Sequence, residues 1–313
     1  MGNFADVLIE VSKKKKSVLV VGLDPDINFF PDFLIKNMQA SSNEAVAEVI
    51  YTFNKIVIDA VAEHVVAVKP QLAYYEIYGS HGISALEKTI SYARSKDLIV
   101  INDAKRGDID STSTAYAKAF LGDGALSGDM VTVNPFLGSD GYMPFVEVAR
   151  ENNKGIFLLL KTSNPSSHEI QNLKLENGEL LYFKIAEDIR KLAHETKGTQ
   201  QYSFIGVVVG ATYPEEAKQI RKMLPHSIFL VPGFGKQGGK AEDLDVFFDE
   251  NGDGALISSS RGIIYSYMNG NENWSKISEV DIHKHIAEAT IKANEQLNQV
   301  RFKANRYRKP IHK

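Results

Sequence analysis

The chain has 313 residues, 43% of them hydrophobic and 24% charged, with a formal net charge of -3 and no cysteine. That composition belongs to a globular protein long enough for one large domain or two ordinary ones. It rules out disulfides, thiolate nucleophiles and cysteine-ligated metal sites, and it supplies no bulk basic field for nucleic acid. Residues 2–14 are expected to form a helix, and Lys13–Lys16 precede only a short apolar run at 17–21. That run is too short for a secretion signal or a membrane span. The expectation is a cytoplasmic protein without membrane or nucleic-acid partners.

Eight short apolar runs follow, most rich in β-branched residues: Val18–Val21, Val65–Val68, Leu98–Ile101, Met130–Val133, Ile156–Leu160, Ile205–Val209, Ile228–Val231 and Ala255–Ile257. None alternates strictly, so each reads as a strand buried on both faces. Helical patterns separate most of them. Between the first two strands, Asn43–Glu63 carries Val46, Val49, Ile50, Phe53, Val57 and Val61 at helical spacing. Gly82–Ser95, Tyr142–Asn152, Leu180–Leu192 and Tyr213–Leu224 repeat the pattern. Strands alternating with helices predict a parallel sheet closed into a (β/α)8 barrel, with the N-terminal helix capping its bottom. A doubly wound open sheet is the competitor, but its glycine-rich first turn is replaced by Gly22-Leu23-Asp24-Pro25-Asp26, with one glycine. After the last strand, Ile282, Ile286, Ala289, Ala293 and Leu297 predict a helical extension over 282–300. Residues 301–313 are expected to be a solvated basic tail. No composition shift marks a linker, so residues 1–313 read as one domain.

The active site of such a barrel lies at the C-terminal strand ends. Those positions hold Asp24, Lys69, Asp103 with Lys105, Asn134, Ser163 and Pro232-Gly233, and Arg261 follows the last strand. The richest is Asp103-Ala104-Lys105-Arg106-Gly107-Asp108-Ile109. Asp103 and Lys105 share one strand face by two-residue periodicity, and Asp108 lies on a turn or helix start. Each residue has an ordinary reading. Asp24 can be a turn residue before Pro25, and Lys69 a strand-end amine reaching water. Asp103 and Lys105 can be a structural ion pair, and Asp108 a helix cap. Their convergence on one barrel rim favours a charge network, because buried charge is costly unless paired and often marks a functional site.

Val231-Pro232-Gly233-Phe234-Gly235-Lys236-Gln237-Gly238-Gly239 is a second signal. Its glycines let backbone amides approach an anion, and barrel loops seven and eight often bind phosphate. Arg261, across the last strand, can add a bidentate charge-assisted contact. A mobile loop and a surface arginine form the plainer reading. Gly122-Asp123-Gly124 and Asn251-Gly252-Asp253-Gly254 have too few oxygen ligands at calcium spacing and read as turns. His64, His81, His226, His283 and His285 suggest no metal site.

Val21-Gly22-Leu23-Asp24-Pro25, Val68-Lys69-Pro70-Gln71, the Asp103-x-Lys105-x-x-Asp108-Ile109 core, Lys161-Thr162-Ser163-Asn164-Pro165 and the Val231–Gly239 loop occur in order. Together they resemble the orotidine 5'-phosphate decarboxylase family, specifically its longer bacterial branch, over roughly residues 5 to 270. The resemblance implies decarboxylation of orotidine 5'-monophosphate to uridine 5'-monophosphate without cofactor or metal. It makes Lys105 the acid that protonates C6, and it places Asp103 beside the departing carboxylate. Lys69 would complete the charge network and contact ribose, Asp24 would accept from a ribose hydroxyl, and Ser163 would bind the pyrimidine. Gln237, Arg261 and the Gly262 amide would hold phosphate, with Pro232 counted among the substrate-binding residues. It also implies a homodimer in which Asp108 and Thr112 reach the neighbouring site and Ile109 lines the pyrimidine pocket. Three alternatives stay open: a metal-dependent phosphosugar synthase sharing the Asp-Lys-Asp core, a Schiff-base aldolase using Lys69 or Lys105, and a non-catalytic phosphonucleotide-binding protein.

Overall fold

The computed structural model describes residues 2–36, 42–234 and 241–307. Eight parallel strands close into a barrel: β1 Leu19–Leu23, β2 Ala67–Pro70, β3 Ile99–Arg106, β4 Met130–Val133, β5 Gly155–Lys161, β6 Ser203–Val209, β7 Ser227–Val231 and β8 Ala255–Ser259. Closure is made by β1 on β8, with Leu19 opposite Ile257 and Val21 opposite Ser259. The continuous apolar runs have the cause expected of them, because interior side chains fill the barrel while the outward ones lie under helices. All residues of β1, β2, β4, β6, β7 and β8 are buried.

The predicted helices form at Asn43–Val61, Gly79–Ser95, Ser139–Glu151, Leu181–Glu195 and Pro214–Met223. Another, Asp110–Leu121, follows β3. Ser42 starts the first of these by accepting from the Ala45 amide at 3.2 Å, a standard capping contact. The N-terminal helix Phe4–Lys15 buries Phe4, Ala5, Leu8 and Ile9. Its Asp6 accepts from the amides of Thr199 and Gln200, at 2.9 and 2.7 Å, on the connection leading into β6. The helix is thereby tied to the end of the barrel where strands begin, as the capping role requires.

β3 extends past the apolar run that ends at Ile101, through Arg106, and so carries both Asp103 and Lys105. One expectation needs correction. At the other end of the chain, the helical extension is Glu279–Tyr307. The basic tail expected from residue 301 therefore begins as helix, and Arg301 is buried, with its guanidinium 2.8 Å from Asp253 Oδ1. Residues 308–313 lie outside the described residues. No described helix is long and apolar enough to cross a membrane.

Candidate active site

A cavity of about 560 Å3 opens at the C-terminal ends of the strands. Asp24, Lys69, Asp103, Lys105, Ser163, Pro232, Arg261 and Gly262 all line it. Residues up to 238 positions apart in the chain, from Asp24 to Gly262, are thus brought together because each lies near the C-terminal end of a strand or in the segment that follows it.

Asp103 is the centre of the polar cluster. Its Oδ2 accepts from Lys69 Nζ at 2.7 Å and Gln71 Nε2 at 3.0 Å. Its Oδ1 accepts from Lys105 Nζ at 2.5 Å and Thr132 Oγ1 at 3.0 Å. An ionised carboxylate offers about four lone-pair sites, and all are used here. Burial alone would raise the Asp103 carboxyl, but the Lys69 and Lys105 ammonium groups outweigh it and hold the group well below the usual carboxylate range. Burial would likewise depress Lys69, yet Asp103 and then Asp24 raise it above its ordinary value. Asp103 and Lys69 are therefore both ionised at neutral pH.

The two lysines differ in access. The Lys69 side chain is 8% exposed and that of Lys105 45%. Lys69 is locked in the floor, while Lys105 presents its ammonium to the cavity. Asp24 is different again, for its Oδ1 is buried without a hydrogen-bond partner among the described residues. A buried acceptor left unpaired costs free energy, so this oxygen is suited to a donor carried by a ligand.

Ser163 sits on the loop after β5. Thr212 Oγ1 donates to the Ser163 carbonyl at 3.2 Å, and Gln171 holds the Thr162 amide at 3.0 Å. A Cβ on Gly210 would lie 2.6 Å from Ser163 Cα, so the close approach of the two loops requires glycine there. Beneath the loop, Lys161 is fully buried. Its ammonium donates to Ser167 Oγ and Asn172 Oδ1 at 3.1 and 2.9 Å and lies 4.4 Å from the Tyr213 ring centroid. Burial lowers this amine below the ordinary lysine range. These contacts join the segment after residue 164 to the cavity rim.

Asp108, Ile109 and Thr112 do not line this cavity. They lie where β3 passes into the helix Asp110–Leu121, and Asp108 Oδ1 accepts locally from the Ile109 amide at 2.8 Å. Ile109 is 48% exposed. Gln237 falls outside the described residues. Among the described residues, no group of three or more His, Cys, Asp or Glu side chains is arranged to hold a metal ion.

The pattern that defines the Orotidine 5'-phosphate decarboxylase / HUMPS family matches residues 17–277. This chain belongs to that family. Within it, an orotidine 5'-phosphate decarboxylase from Caldicellulosiruptor saccharolyticus is 45% identical over 280 residues, covering 86% of this chain and 92% of that one. The orotidine 5'-phosphate decarboxylase of Rhodopirellula baltica is 42% identical, with 95% and 99% covered. The structure of Leishmania donovani OMP decarboxylase superposes with a TM-score of 0.73 at 30% identity, over 96% of this chain and 99% of that one.

Reading the sequence missed three residues that shape the site. Gln71 and Thr132 both serve Asp103, and Tyr74 lines the cavity. Gln71 carried a usable signal, since it lies two residues after Lys69 and so on the same strand face. Thr132 was a lone hydroxyl in the run Met130–Val133, a weak signal because threonine is common in strands.

Proposed function

We propose that the chain decarboxylates orotidine 5'-monophosphate to uridine 5'-monophosphate and carbon dioxide, with Lys105 as the acid. Family membership supports the reaction. The observation that supports the residue roles is the Lys69–Asp103–Lys105 cluster set in the same cavity as Arg261.

The C6–carboxylate bond breaks, carbon dioxide leaves, and the electron pair remains on C6. A proton passes from Lys105 Nζ to C6, and the lysine regains one from solvent. Asp103 stands beside the departing carboxylate, where like charge disfavours the bound ground state relative to the transition state. Lys69 and Lys105 supply positive charge already in place, so little reorganisation accompanies the reaction. The unpaired Asp24 oxygen accepts from a ribose hydroxyl. Ser163 binds the pyrimidine, with Pro232 on the rim, and Arg261, the Gly262 amide and Gln237 take the phosphate. Arg261→Ala is expected to lower kcat/KM about a hundredfold, mostly through KM, as fits loss of a charge-assisted contact. Steady-state kinetics with the phosphorylated substrate will check this, and unchanged constants would remove Arg261 from the phosphate site.

The assembly is read as a homodimer. Ile77, Ile109, Phe136 and Leu137 are 66%, 48%, 73% and 50% exposed, and they sit on the successive loops after β2, β3 and β4. The same region carries Asp108 and Thr112, which do not line their own cavity. A second copy covering this apolar surface would receive both residues at its site. Mixing Lys105→Ala with Asp108→Ala subunits, each inactive alone, should then restore activity. Random pairing gives one intact site in each mixed dimer, about a quarter of the wild-type sites. No recovery in dimers proven to be mixed would refute shared sites.

The direct test adds orotidine 5'-monophosphate to metal-free purified protein and follows loss of the orotate absorbance. Stoichiometric uridine 5'-monophosphate is the expected product. A folded dimer without turnover, or one active only as a magnesium-dependent aldolase, would overturn the reading.

A further inference from the structure

The pairing of β3 with β4 is irregular where the chemistry lies. Asn102 is opposite Val131 and Arg106 is opposite Val133, so β3 advances four residues while β4 advances two. Asp103, Ala104 and Lys105 fill the excess, and Thr132 is the one β4 residue between the flanking pairs. Lys105 adopts φ +47°, a left-handed conformation that is costly for a side chain with a Cβ. Bulged residues lose regular ladder partners, and their amides need another acceptor.

Thr132 supplies it. Its Oγ1 accepts from the Lys105 amide at 2.9 Å and donates to Asp103 Oδ1 at 3.0 Å. Thr132 is buried, so water does not compete freely for either bond. One hydroxyl thus fixes the backbone of one charged residue and the carboxylate of the other. Both roles need an atom that donates and accepts, which valine, of nearly the same shape, lacks.

We propose that Thr132 is a positioning residue for proton transfer, acting through Lys105 and Asp103 without touching substrate. The inference rests on Lys105 being the acid. Loss of the hydroxyl leaves the Lys105 amide unpaired and lets both the bulge and Asp103 shift. An error of about 1 Å in a reacting group can cost a hundredfold in rate.

The test compares Thr132→Val, Thr132→Ser and Thr132→Ala with Lys105→Ala and wild type. It measures kcat and KM for orotidine 5'-monophosphate and the affinity for uridine 5'-monophosphate. Thr132→Val is expected to lose about 10- to 100-fold in kcat, with KM and product affinity changed less than about threefold. Thr132→Ser should stay within about threefold of wild type, since it keeps the donor and acceptor. If Thr132→Val fails to fold, the serine and alanine variants decide, because both lose the methyl and differ only in the hydroxyl. Equal kcat in those two would overturn the inference, as would wild-type kcat in Thr132→Val beside an inactive Lys105→Ala. Normal turnover by Lys105→Ala would instead retire the acid assignment and this inference with it.

Discussion

Lys105→Ala should reduce kcat by at least about ten-thousandfold while leaving the protein folded. Positioned general acids contribute roughly 10²–10⁴ in rate, and preorganised charge at the reacting centre adds to that. The fold should survive because the side chain is 45% exposed and Asp103 keeps its other donors, Lys69, Gln71 and Thr132. Lys69 still neutralises the buried Asp103, so its charge is not stranded, and alanine has the same Cβ as lysine at the left-handed position. Activity and thermal unfolding of the purified variant provide the check. An inactive variant with near-normal stability supports the acid role, whereas turnover within about tenfold of wild type rejects it. Contrasting it with Arg261→Ala separates chemistry from recognition. The first change should fall mainly on kcat, the second mainly on KM.

The barrel was legible because parallel strands covered on both faces leave continuous apolar runs, which helical spacing then separates. Charges at the ends of such runs were legible for a related reason, since Lys69, Asp103, Ser163 and Arg261 interrupt an otherwise apolar rhythm. What could not be read is pairing across strands. Nothing near Asp103 in the chain indicates that Thr132, 29 residues away, will donate to it. Regular alternation accounts for Asp103 and Lys105 facing one cavity only in outline, because the strand reaches that arrangement through a bulge and a left-handed residue. The run Ile156–Leu160 hid Lys161, whose charge is satisfied by Ser167, Asn172 and the Tyr213 ring, all on later segments. Arg301 was obscured in the same way. Apolar periodicity stops at Val300, and the acid that holds Arg301 lies 48 residues earlier.

That partnership carries the largest expected effect on stability. Arg301 donates to Asp253 Oδ1 at 2.8 Å, with the two side chains only 4% and 7% exposed. Its Nε also donates to the Gly252 carbonyl. Gly252 has φ +76°, and a Cβ there would lie 2.5 Å from Arg301 Cγ, so the turn before β8 is shaped to admit this side chain. Lys13 of the N-terminal helix stands 3.5 Å from the other Asp253 oxygen, but its side chain is 52% exposed and cannot replace a buried guanidinium. Arg301→Ala therefore leaves a buried carboxylate with little compensation, a change that typically costs 3–5 kcal/mol, about 3–5 here. For a chain of this size the melting temperature should fall by roughly 5–8 °C. The turn lies where β8 begins, at the opposite end of the barrel from the cavity, so kcat at 25 °C should stay near wild type. Adding Asp253→Asn should bring little further loss, because it removes the charge that Arg301→Ala strands. A melting temperature within about 1 °C of wild type for the single variant would mean that the end of the C-terminal helix contributes no net stability to the barrel.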